Sequence, residues 1–111
     1  MTDTIYSLDE LKSIVIPIAK QHRVTKMYLF GSYAKGTADE KSDIDIRIDS
    51  KNLRNLFALG GLYADLEEAL NKPLDLVTTE SLRTNKSEPL TRRLIRNIKQ
   101  CEILLYEEMS A

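Results

Sequence analysis

Apolar residues return along the chain in two rhythms, one near 3.6 and one of 2, and their succession predicts an order of elements. Leu8, Leu11, Ile14, Val15 and Ile18 recur at helical spacing, and Ser7-Leu8-Asp9-Glu10 has the form of a capping box. A first helix is expected over residues 7–22, with Pro17 removing one backbone donor and kinking it across residues 13–17. Residues 26–30, Lys-Met-Tyr-Leu-Phe, form a short apolar run that stops at Gly31, the pattern of a strand covered on both faces. From Asp43 to Ile48 the alternation is strict. Ile44, Ile46 and Ile48 share one face and Asp43, Asp45 and Arg47 the other, so a half-buried strand is expected.

Over residues 52–71, Leu53, Leu56, Phe57, Tyr63, Leu66 and Leu70 suit a long helix, weakened in the middle by Gly60-Gly61, a pair that permits close packing. After the turn-like Asn71-Lys72-Pro73, residues 74–77 read as a third strand and 78–83 as a loop or one helical turn. Leu90, Leu94, Ile95 and Ile98 mark a last helix with Pro89 near its start, and residues 102–106 are apolar enough for a short closing strand. The expected fold is α/β (α+β), a small sheet of three to four strands with helices on one side. No repeat, linker or low-complexity stretch interrupts it, and residues 1–111 read as a single domain.

Composition narrows the function classes. A chain of 111 residues is too short for two independent cores. Cys101 cannot form an internal disulfide, and with His22 the single histidine a structural zinc site is not expected. No signal-peptide pattern or membrane-length apolar run is present, so a cytoplasmic location and no membrane partner are expected. Seventeen acids against 16 bases argue against stable nucleic-acid binding. The charge is, however, unevenly placed. Asp39, Glu40, Asp43, Asp45 and Asp49 face only Lys41 and Arg47, and this segment should attract cations. Arg83, Lys86, Arg92, Arg93, Arg96 and Lys99 face only Glu88, forming either a solvated helix face or a dock for an acidic partner or a triphosphate.

Two adjacent features carry chemistry. Gly31-Ser32-Tyr33-Ala34-Lys35-Gly36 follows a strand directly, where a glycine turn can open a short helix whose free amides point at an anion. Neither G-x-x-x-x-G-K-[ST] nor G-x-G-x-x-G is present, and by itself the segment reads sooner as a tight turn between strands than as a phosphate cradle. Asp43-Ile44-Asp45 places two carboxylates on one strand face, where their repulsion must be relieved by protonation, by a base such as Arg47, or by a hard divalent ion, Mg²⁺ or Mn²⁺. Asp75 lies in an apolar segment, Leu74-Asp75-Leu76-Val77, where an unpaired buried carboxylate is costly. If its strand lies beside that of Asp43, the three carboxylates can hold two metal ions roughly 3.5–4 Å apart, an arrangement for in-line phosphoryl transfer. Asp49 competes as third acid and ranks lower because it sits at the strand's exposed end.

These residues resemble the minimal nucleotidyltransferase (MNT) family, whose pattern is Gly-Ser, ten residues, then Asp-x-Asp, in a fold related to DNA polymerase beta. Here Gly31-Ser32 is followed by the ten residues 33–42 and then Asp43-Ile44-Asp45, and the family's later acid corresponds to Asp75. Arg47 stands where the family more often has an aliphatic residue, and Lys35 where arginine is commoner. The resemblance implies Asp43, Asp45 and Asp75 as catalytic metal ligands for two Mg²⁺ ions, Mn²⁺ being an alternative. It implies Gly31, Ser32, Lys35 and Gly36 at the nucleotide, and transfer of AMP from ATP with release of pyrophosphate. Small stand-alone members are antitoxins that attach AMP to a tyrosine of a HEPN-domain ribonuclease toxin encoded nearby, alone or as homo- or hetero-oligomers. The alternatives are occlusion of that partner without catalysis, or transfer to a small molecule or an RNA end. Among other residues, Ser32 reads as a phosphate-contacting hydroxyl rather than a nucleophile, since no histidine or second base lies nearby in sequence. Tyr33 reads as a contact for adenine or the acceptor. Tyr28 and Phe30 read as core, His22 as a helix-end residue and Cys101 as a small hydrophobe.

Overall fold

A computed structural model describes residues 4–53 and 55–108. The capping box forms: the Glu10 amide donates to the Ser7 hydroxyl at 3.1 Å, and the Ser7 amide donates to the Glu10 carboxylate at 2.9 Å. From this start α1 (Leu8–Gln21) runs through Pro17 and buries Leu11, Val15 and Ala19. It leads into β1 (Lys26–Phe30), the short α2 (Gly31–Lys35) and β2 (Ile44–Asp49). A single 3₁₀ turn at Lys51–Leu53 precedes α3 (Leu56–Leu70), followed by β3 (Leu74–Thr78), α4 (Thr79–Thr84), α5 (Pro89–Gln100) and β4 (Ile103–Glu107).

The four strands form one mixed sheet in the order β3-β2-β1-β4. β1 is antiparallel to both β2 and β4, whereas β2 and β3 run parallel, joined by the α3 crossover. Ile44, Ile46 and Ile48 turn toward α1 and α3 together with Met27, Leu29 and Leu105, and pack with Leu62, Leu66 and Leu70. Helices cover both faces rather than one. Phe30 projects opposite to Leu29, and with Val77 it packs against Leu82 of α4 and Leu94, Ile95 and Ile98 of α5 in a second, smaller cluster.

The long helix begins four residues later than its apolar pattern suggests. Asn55 caps it, its side chain accepting the Ala58 amide at 2.7 Å. Leu53 packs into the core from the preceding turn, while Leu56 and Phe57 stand 87% and 93% exposed. The inward stripe is Leu62, Leu66 and Leu70, so the early apolar residues contribute no helix-packing signal. Gly60 faces open space, and a Cβ at Gly61 would meet only the His22 ring, at 3.7 Å, so the glycine pair is not a close-packing device. His22 caps the end of α1, where its Nε2 stands 2.6 Å from the Asp65 carboxylate of α3.

Candidate active site

The turn from β1 into α2 brings backbone against carboxylate. Gly31 has φ +72°, and a Cβ there would stand 2.9 Å from Cγ of Asp45, so a side chain is excluded on both counts. Phe30 is directly opposite Asp45 in the antiparallel register, which sets the α2 entrance against that carboxylate. At the other end of α2, Gly36 has φ +76° and its amide donates to the Ser32 carbonyl, closing the helix after five residues. Lys35 and Gly36 are exposed beside this turn.

On the other side of Asp45 lies Asp75. The parallel register pairs Ile44 with Leu74, Asp45 with Asp75 and Ile46 with Leu76, so the two carboxylates leave neighbouring strands on one face. Asp43 stands exposed just before β2. Asp75 is also exposed, not buried as its apolar flanks suggest, because α4 and α5 leave the near end of that face uncovered. Burial pushes the Asp45 carboxyl up to about 6, and the Asp75 and Asp43 charges push it the same way.

Arg47 does not relieve that repulsion. Its guanidinium donates to both Glu102 oxygens, at 2.8 and 2.9 Å, and to the Thr79 hydroxyl, and it stacks 4.2 Å over the Tyr28 ring. The Glu102 bond holds it above the usual arginine range, fully charged and committed. Among the described residues no three histidine, cysteine or carboxylate groups close into a ready-made metal cage. The donor set is an open oxygen face with its charge uncompensated, which suits a hard divalent ion shared with a phosphate. Asp49 lies at the far end of β2, opposite Lys26, and lines a separate cleft of about 580 Å³. It is partly buried rather than exposed.

Two residues take places that their sequence context does not suggest. Tyr33 is buried in the main core, not presented to a ligand, and its hydroxyl has no hydrogen-bond partner among the described residues. Lys72, within an apparent turn, is 3% exposed, and its Nζ donates to the Glu40 carbonyl at 3.0 Å. The Ile44 amide donates to the Pro73 carbonyl, so the segment entering β3 is stitched to the loop that carries Asp43. In that loop the Asp39 carboxylate accepts the Lys41 amide, which, with the Ser42 hydroxyl, holds Asp39 below the usual carboxylate range. No local sequence signal marks Lys72, whose partner is 32 residues away.

A glycine-opened turn thus lies against one carboxylate, with a second carboxylate in register on the next strand. Residues 13–110 match the family model described as polymerase beta, nucleotidyltransferase, and the chain belongs to that family. The protein adenylyltransferase MntA of Thermococcus cleftensis is 32% identical over 93 residues, which span 80% of this chain and 94% of that protein. A toxin-antitoxin crystal structure with AMP-PNP superposes with a TM-score of 0.65 at 27% identity, covering 88% of this chain and 74% of that one. The MNT antitoxin complex with the tri-AMPylated HEPN toxin of Shewanella oneidensis has a TM-score of 0.61 at 21% identity, over 91% of this chain and 73% of that chain, a likeness of fold. Among the described residues no helix is long and apolar enough to cross a membrane.

Proposed function

We propose that this chain transfers AMP from ATP to a tyrosine hydroxyl of a HEPN-domain toxin and thereby acts as its antitoxin. The observation that carries this reading is the Asp45–Asp75 register beside side-chain-free Gly31, with Arg47 turned away. Amides at the start of α2, the Ser32 hydroxyl and Lys35 would hold the far phosphates of the triphosphate. Asp43, Asp45 and Asp75 would hold divalent ions, Mg²⁺ or Mn²⁺, which when bound neutralise the phosphates and ease deprotonation of the attacking hydroxyl. Asp75, exposed on β3, would orient that hydroxyl and take its proton. The acceptor oxygen bonds to the α-phosphorus, the bond from that phosphorus to the bridging oxygen breaks, and pyrophosphate leaves with that oxygen. The relatives' names and the AMP-PNP and tri-AMPylated complexes support adenylyl transfer to a protein.

The direct test mixes the purified chain with the HEPN-domain protein encoded beside it, ATP and Mg²⁺, and weighs both proteins intact. Gain of one or more adenylyl groups by the partner, lost with Asp45→Asn, is the expected result. An unmodified partner whose ribonuclease activity is nevertheless suppressed would replace catalysis with occlusion.

A further inference from the structure

The sheet face that bears Asp45 continues toward α4 and α5 into a second concavity, of about 330 Å³. Leu82, Ile95 and Ile98 line it with carbon, while Arg83, Lys86 and Lys99 stand around it. Arg47 and Glu102 also reach it, but they satisfy each other, leaving little unpaired polarity inside. The three rim cations are exposed and form no ion pair among the described residues. Along α5 the positive charge extends further, because Arg92, Arg96 and Lys99 recur at four- and three-residue steps beside the Ile95–Ile98 stripe. That stripe of charge is roughly 10 Å long.

An apolar interior needs an apolar anchor, and several separated cations need several separated anions. A nucleobase fits the first condition poorly, since its edge would meet no free donor or acceptor inside. A triphosphate meets the second only in part, because it has no group to fill the carbon-lined interior. A peptide with carboxylates on either side of one large apolar side chain meets both. We propose that this pocket docks an acidic segment of the acceptor protein, seating an aromatic or aliphatic side chain over Leu82, Ile95 and Ile98 and pairing flanking carboxylates with Arg83, Lys86 and Lys99. The inference rests on the reading of a protein acceptor. It explains how a catalytic face presented on so small a chain recruits its substrate: Arg47, two residues along β2 from Asp45, connects the pocket to the carboxylates.

The test measures binding apart from chemistry. A fluorescent random copolymer of glutamate and tyrosine is titrated without nucleotide against the full chain and against Lys86→Glu/Lys99→Glu, a surface variant whose melting curve checks its fold. The copolymer should bind in a salt-sensitive manner, more tightly than polyglutamate of equal length, and the double variant should lose at least about tenfold in affinity. A fluorescent ATP analogue with Mg²⁺ should bind both proteins equally. The proposal is overturned if polyglutamate binds as well, if charge reversal leaves copolymer affinity intact, or if it weakens the ATP analogue to the same degree, which would assign the pocket to nucleotide. Loss of AMP transfer with copolymer binding intact would count against the catalytic reading and leave the docking site standing.

Discussion

Asp45 gives up its proton later than an ordinary aspartate because burial and two carboxylate neighbours oppose its charge. Its pKa is raised from 3.8 to about 6, so the folded protein binds a proton that the unfolded chain has lost between those values. Its stabilising contribution is therefore complete below pH 3.8 and lost as pH rises through 6. Melting curves of the metal-free protein should show that decline, and Asp45→Asn should flatten it and raise the melting temperature at pH 7 while abolishing transfer. At Gly31 an added methyl group meets both the left-handed backbone and the Asp45 side chain. Gly31→Ala should cost about 1 kcal/mol or more in denaturant unfolding and remove most transfer activity. Asp75→Asn should lower single-turnover AMP transfer by orders of magnitude with triphosphate binding largely kept, while Asp49→Asn is mild. A dead Asp49→Asn beside an active Asp75→Asn would overturn the assignment of the third acid. The place of Asp45 was legible because Ile44, Ile46 and Ile48 turn inward and strict alternation leaves it the opposite face. Arg47 was not, because its destination, Glu102, lies 55 residues on.

Elements with a complete local signal appear where their patterns place them. The Ser7–Glu10 box starts α1, the Ile44–Ile48 alternation becomes β2, and Pro89 opens α5. The start of α3 was obscured because Leu56 and Phe57 continue a helical rhythm while pointing into solvent, and only the Asn55 cap marks the true boundary. Burial of Lys72 is likewise a property of two elements meeting, the entry to β3 and the loop before β2. Its ammonium ties together the segments that carry Asp75 and Asp43. Lys72→Met should speed amide hydrogen exchange over residues 39–43 and reduce the turnover number more than ATP affinity, with Lys72→Arg recovering part of both. Unchanged exchange in Lys72→Met would show that the loop holds itself through Asp39 and Ser42 alone.

At the scale of the molecule, strand order could not be read from periodicity, since any order would bury the same isoleucines. The parallel β2–β3 pairing places Asp75 beside Asp45 rather than at a distant edge. If Asp43, Asp45 and Asp75 together hold a divalent ion, as proposed, the folded state binds it better than the unfolded chain. Mg²⁺ or Mn²⁺ at about a hundredfold excess over its dissociation constant should stabilise the fold by about 2.7 kcal/mol, read as a rise in melting temperature that EDTA reverses. Identical curves in all three conditions would count against a resident metal. The same crossover also imposes a timetable on synthesis. The β1–β2 hairpin closes through short-range contacts, but Asp75 reaches Asp45 only after α3 and β3 have left the ribosome, because a parallel partner must wait for its connection. A nascent or truncated chain ending before residue 74 therefore displays the glycine turn and Asp43-Ile44-Asp45 yet lacks Asp75, so under the proposed mechanism reactivity waits until β3 has joined the sheet.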